Sequence, residues 1–204
     1  MRKLIIISFV VLTATLLCYS FIGSSRLKPS ELIHWVNDEE NALLQRKEFD
    51  NYFFEARYKP VDYVISMEAR TDKLSEDTYN ELKSELDGMQ YIDLDIGPMD
   101  KTGNVLSANT LSEDEYFERL DYFVTYANYD IFMIQGQDTL HPQLYHFERN
   151  YGLAPKNTLL LGFGLGDENS DRDLVIDDQV LGVGRVHFLF REEDIKSTPK
   201  LKTS

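Results

Sequence analysis

Cysteine is nearly missing from this chain: Cys18 is the only one in 204 residues. It lies in the apolar N-terminal stretch, so the remainder has no disulfide, no thiolate metal site and no cysteine nucleophile. A body of about 180 residues buries enough surface to fold without such staples. Positive charge is scarce too, with 21 Lys and Arg against 35 Asp and Glu, a net charge of −14 and a pI near 4.6. That excess excludes a nucleic-acid surface, which needs clustered cations to displace counterions from phosphates. It argues equally against a basic patch on anionic lipid. Catalytic signatures are also lacking: there is no G-x-S-x-G elbow, no H-E-x-x-H helix and no Walker P-loop. What the chain does have is 43% hydrophobic and 12% aromatic residues, enough to bury a core and to exclude disorder throughout.

The N-terminus carries the strongest local signal. Arg2 and Lys3 precede an uncharged run from Leu4 to Ile22, 19 residues long, which as a helix spans roughly 28 Å. The run suits three outcomes: a retained signal anchor, a signal peptide cleaved after Ser20 or Ser24, or lipid modification at Cys18. All three place the body outside the cytoplasm, in the cell envelope. Residues 23–29 read as a tether, since Gly23, Ser24, Ser25 and Pro29 sustain neither helix nor packed strand. Setting Arg2 and Lys3 aside takes the exported part from −14 to −16.

Beyond the tether, Ser30 is placed to cap a short helix through Leu32, Ile33, Trp35 and Val36. Asp50-Asn51 between two aromatic-rich runs predicts a β-hairpin over 43–58. Pro60 suits the first turn of a helix carrying Val61, Val64 and Ile65. A second amphipathic helix runs from about Glu76 to Asp87, with Tyr79, Leu82 and Leu86 on one face and Gly88 as its stop. Ile92, Leu94 and Ile96 then alternate as a half-buried strand ended by Gly97-Pro98, followed by a polar loop over 99–111. Ser112 and Glu115 form a capping box for a helix over about 113–127 whose apolar face is Phe117, Leu120, Phe123, Val124 and Ala127. Strands are expected at 131–134, around Tyr145 and Phe147, and at 159–165, 174–176 and 183–190. The fold class is therefore α+β: an antiparallel sheet with several short amphipathic helices, preceded by an N-terminal apolar helix. The organisation is a signal sequence or membrane anchor over 1–22, the tether over 23–29, and one extracytoplasmic domain over 30–204 with a loose tail from 196.

Several clusters have the residue types that chemistry needs. Asp167, Asn169, Asp171 and Asp173 alternate, and Asp178 follows eleven residues after Asp167, as oxygen ligands do in a calcium loop. Arg172 stands where such a loop has its glycine, so the pattern equally suits a solvated hairpin loop. His141, His146, Glu148 and His187 make a zinc or proton-transfer site if their strands are neighbours, and a solvated sheet face if they are not. Asp93 and Asp95 share a strand face and form a candidate acid–base pair. Gly162, Gly164 and Gly166 alternate, as do Gly182 and Gly184, predicting a strand face open to a sharp bend or to a close backbone. The 25 aromatic residues serve either the core or a recognition surface.

Trp35 to Asn41, Tyr58-Lys59-Pro60, Asp138-Thr139-Leu140 and His146 to Leu153 together resemble a family of bacterial exported, lipoprotein-like envelope proteins of unknown function. The resemblance covers about 30–200 and implies an envelope location; it assigns no residue a role. Leu17 departs from it, because a small residue normally precedes a lipidated cysteine. The expected function is a non-catalytic, membrane-anchored envelope protein that binds or supports another protein, its partner basic to match the acidic body. An immunity-type protein that blocks a cationic toxin is one form of this. The alternative is an envelope enzyme, hydrolase-like, acting on cell-wall or glycan material through surface carboxylates and histidines. No cofactor is implied apart from calcium at the acidic loop.

Overall fold

The computed structural model describes residues 26–150 and 153–204. The expected anchor over 1–22, with Cys18, lies outside them. Among the described residues no helix is long and apolar enough to cross a membrane.

The fold is α+β. In chain order it comprises β1 (Arg26–Leu27), α1 (Pro29–Val36), a 3-10 turn (Glu39–Asn41), β2 (Leu44–Glu48), β3 (Tyr52–Lys59), α2 (Val61–Ala69), α3 (Glu76–Leu86) and β4 (Met89–Pro98). There follow α4 (Glu113–Asp121), a π-helical turn (Tyr122–Tyr126), α5 (Ala127–Asp130), β5 (Ile131–Gln135), β6 (Asp138–Leu140), β7 (Leu144–Glu148) and β8 (Asn157–Gly164). The chain closes with β9 (Arg172–Asp177), β10 (Arg185–Phe190), α6 (Glu192–Lys196) and β11 (Lys200–Leu201).

Where a single antiparallel sheet was expected, there are two. One has five strands in the order β2-β3-β4-β8-β7 and the other four in the order β10-β9-β5-β6, every neighbouring pair antiparallel. The period of two along each strand explains how they share a core. Phe54, Ala56, Tyr58, Ile92, Leu94, Ile96, Leu159, Leu161 and Phe163 lie on the inner side of the first sheet. They join Met133, Leu174, Ile176, Val186, Phe188 and Phe190 of the second in one buried cluster. Each large side chain so buried is worth about 1.5–3 kcal/mol relative to exposure. A polar seam stitches the sheets together: the Gln90 amide donates to Gln135 Oε1 (2.8 Å) and to the Gly164 carbonyl (3.0 Å), and the Gln135 amide donates to the Asp167 carbonyl (2.7 Å).

Several local readings need correction. Ser30 does not cap α1: Pro29, which lacks an N–H, enters the first helical position, and Lys28 holds the N-cap position without a side-chain cap bond, its N–H donating to Glu31 (2.9 Å). Ser30 instead donates its backbone N–H and its hydroxyl to the Asp72 carboxylate, both at 2.9 Å. Residues 26–29 of the expected tether belong to the fold as β1 and the start of α1. The supposed loose tail is anchored as well: β11 pairs in parallel with β1, and Leu201 is buried. One apolar residue among lysines and threonines gives too little pattern to show this. The loop 99–111 is polar only in part, since Val105, Leu106 and Ala108 are buried. Gly182 and Gly184 do not sit in a strand; both have positive φ, +76° and +74°, and form the turn between β9 and β10.

Candidate functional site

The sequence-derived sites are dispersed by the fold. Of the acidic series, Asp167 accepts the Asn169 N–H (3.1 Å), Asn169 accepts the Lys196 ammonium (3.1 Å), and Asp171 accepts the Glu192 N–H (2.8 Å). Asp173 contacts His187 Nδ1 (2.9 Å) on the neighbouring strand. Asp178 lies beyond the far end of β9, where its carboxylate accepts the N–H groups of Val180, Leu181 and Val183 and so shapes the turn to β10. These five side chains thus engage separate partners on either side of a strand. Among the described residues no group of three or more His, Cys, Asp or Glu side chains is arranged to hold a metal ion.

The histidines do not meet. His146 is on β7, at the edge of the five-stranded sheet, whereas His187 is on β10, at the edge of the other. His141 follows β6, its ring 6.1 Å from that of Phe132. Asp93 and Asp95 do share the outer face of β4, but cations neutralise both. Lys59 (2.6 Å) and Arg57 (3.7 Å) flank Asp93, while Lys156 and Thr158 hold the buried Asp95. A shallow cavity of about 420 Å³ beside α1 has Glu31, His34 and Asp38 on its wall. Glu31 is occupied by the Lys28 N–H (2.9 Å) and Asp38 by the Glu40 N–H (3.1 Å).

The alternating glycines allow close approach. A Cβ at Gly162 would lie 2.8 Å from the Met89 methyl and 3.0 Å from Leu144 Cβ, so the neighbouring strands' side chains fill the bare face.

One helical surface combines exposed apolar and acidic side chains where the sequence pattern predicts burial. Ser112 accepts the Glu115 N–H (3.2 Å) and starts α4 as expected, although the Glu115 carboxylate reaches back to Leu111 N–H (2.9 Å) and not to Ser112. Leu120, Phe123 and Ala127 face the core, as expected; Phe117 and Val124 do not. The inner stripe is Tyr116, Leu120, Phe123 and Ala127, at helical spacings of four, three and four, with the buried Arg119 beside it. Phe117 and Val124 are rotated off that stripe and are 54% and 51% exposed; Tyr126 and Tyr129 follow at 52% and 70%.

The π turn holds this arrangement. Ala127 N–H bonds to the Tyr122 carbonyl, five residues back, so the Phe123 carbonyl loses its ordinary helical donor. The Tyr145 hydroxyl from β7 donates to that carbonyl, and Phe123 stacks on Phe147 at 5.4 Å. Burial holds the Tyr145 phenol well above its usual range. On the inner side Arg119 donates to the carbonyls of Val105 (3.2 Å) and Ala108 (2.6 Å), to the Tyr52 hydroxyl (3.1 Å) and to Glu115 (2.8 Å). The helix is thereby fixed to the sheet and to the 104–108 loop.

The outer face is acidic as well as apolar. Segment 113–130 has six carboxylates against one cation, the buried Arg119; Glu115 pairs with that cation and Asp130 accepts from the Tyr122 hydroxyl (3.1 Å), which leaves Glu113, Asp114, Glu118 and Asp121 exposed. Phe117, Asp121 and Val124 are spaced four and three apart and so share a stripe, with Glu113 and Asp114 a turn earlier. That spacing is visible in the sequence: Phe117 and Val124 fall off the stripe that Tyr116, Leu120, Phe123 and Ala127 complete. Comparison of the chain with protein-family models, with curated proteins and with solved structures finds no match.

Proposed function

We propose that this protein is a non-catalytic envelope module, held to the membrane by its N-terminal segment, that binds a basic protein partner through the outer face of residues 113–130. The observation that carries the reading is the exposure of Phe117, Val124, Tyr126 and Tyr129 on a helical segment with four exposed carboxylates, Glu113, Asp114, Glu118 and Asp121, and no exposed cation. Large apolar side chains are costly to leave in water as a group, and such patches mark contact surfaces. Aromatic anchors rimmed by charge supply both the contact energy and the orientation of an interface. The occupant that complements them is an amphipathic segment with Lys or Arg beside its apolar residues, which acidic surfaces attract at long range. The anchor rests on the run from Leu4 to Ile22, and the envelope location on that run and on the family resemblance.

The enzyme alternative has less support. Asp93 and Asp95 are held by cations, and the three side chains beside α1, Glu31 and His34 on the helix and Asp38 just past its end, line only a shallow depression. Photo-crosslinking in intact membranes tests the binding reading. A crosslinker at position 117 or 129 is expected to trap a protein whose contact segment is rich in Lys and Arg, and one at position 187 is not. Crosslinks from 187 alone, or a contact segment without excess positive charge, would overturn the assignment.

A further inference from the structure

The C-terminal segment builds a second site, separate from the helical face. It returns against the β3–α2 junction, where the Leu201 N–H donates to the Asp62 carboxylate at 3.0 Å. Between them is a cavity of about 400 Å³, within the range of roughly 300–1,000 Å³ that suits a small molecule. Its walls come from four separate stretches: the β3–α2 junction, α3, the loop before β9, and residues 195–200.

The charge of this cavity runs against that of the protein. In a chain of net −14, three lysines, Lys83, Lys196 and Lys200, line one opening. Two carboxylates accompany them, Asp62 and Glu168. Lys196 is committed to Glu192 and to Asn169, and Asp62 to the Tyr79 hydroxyl and the Leu201 N–H. Lys83 and Lys200 form no ion pair among the described residues; the Lys83 ammonium lies 5.7 Å from the centre of the Tyr79 ring.

One polar group on the wall lacks a partner among the described residues. The hydroxyl oxygen of Thr198, a wall residue, is shut off from water and has no hydrogen-bond partner. A buried polar group without a partner costs about 1–3 kcal/mol. Val61, Ile195 and Pro199 supply an apolar wall.

We infer that this cavity binds a small organic carboxylate, its head held between Lys83 and Lys200 and its apolar body against Val61, Ile195 and Pro199. Glu168 limits the head to a single negative charge, because a doubly charged phosphate meets like-charge repulsion from that carboxylate.

Chemical-shift mapping on the full chain in detergent tests this with benzoate, phenylphosphate and benzylammonium. Benzoate is expected to shift the amides of Val61, Lys83 and Lys200 saturably, phenylphosphate to bind more weakly, and benzylammonium to leave them unmoved. The double variant K83Q/K200Q, altered only at exposed positions, is expected to weaken benzoate about tenfold, as loss of charge-assisted contacts implies. Equal binding of benzylammonium, unchanged benzoate affinity in K83Q/K200Q, or no saturable shift at the cavity overturns the proposal. Tighter binding of phenylphosphate overturns the role given to Glu168 and the carboxylate assignment with it.

Discussion

Replacing Arg119 by methionine probes how the recognition helix is held. The side chain is buried, at 5% exposure, and methionine approximates its length without its charge. Arg119 makes four contacts, at 2.6 to 3.2 Å, to the carbonyls of Val105 and Ala108, the Tyr52 hydroxyl and Glu115. They do not count equally. The Ala108 carbonyl keeps the Tyr52 hydroxyl (3.0 Å) as a donor, and Glu115 is partly solvated, so its pairing adds little. Loss of the charged hydrogen bond to Ala108 costs about 1.5–3 kcal/mol, and the unpaired Val105 carbonyl about 1–3 kcal/mol. Methionine recovers part of this through its own apolar burial, leaving a net loss of about 3 kcal/mol, a large share of a typical stability of about 5–15 kcal/mol. Urea unfolding followed by circular dichroism measures the total, and hydrogen exchange at Val105, Leu106 and Ala108 locates it. Arg119→Lys, which keeps the charge but not the fork, should fall between wild type and methionine. A loss below about 0.5 kcal/mol with unchanged exchange over 104–108 refutes the clamp.

Other consequences follow from particular contacts. Leu201→Ala should cost about 2–4 kcal/mol in urea unfolding, because the side chain is 4% exposed and anchors the β1–β11 pair; a change near zero would restore the loose tail. Asp178→Ala removes the acceptor for three turn N–H groups and should lower stability by about 1–2 kcal/mol, with faster exchange at Leu181 and Val183. Burial, aided by the Asp62 carboxylate, pushes the Tyr79 phenol up to about 12. The unfolded phenol, near 10, ionises first, so this contribution is intact below about pH 10 and is lost as pH rises toward 12. The stability of Tyr79→Phe should accordingly fall less steeply than that of wild type across this window; parallel curves would exclude Tyr79 as a source of the slope.

How far the sequence reached depended on how many residues shared in each signal. The 44–59 hairpin, α3 and the alternating strand through Ile92, Leu94 and Ile96 were legible because several residues repeat one period and a turn or cap bounds them. The division into two sheets was not, since strand pairing at long separation leaves no local trace. β1 and β11 were missed for the same reason: each is two residues long and exists only through the other. In the helical face, the cap at Ser112 was legible and the outward turn of Phe117 was not. Apolar character alone does not distinguish burial from exposure, whereas the spacing of Tyr116, Leu120, Phe123 and Ala127 completes an inner stripe without Phe117. The Lys83 and Lys200 cavity joins segments more than a hundred residues apart and has no sequence signal at all.

The central claim, recognition of a basic partner by the 113–130 face, is tested most directly by moving the same charge change between two helices. E118K/D121K reverses two acids on that face, and E81K/E85K reverses two exposed acids on α3. With a photo-crosslinker at position 117, partner capture from membranes should be lost in the first variant, persist in the second, and weaken in wild type as salt rises. Equal loss in both variants would make net charge alone responsible, and capture retained in E118K/D121K would contradict the account.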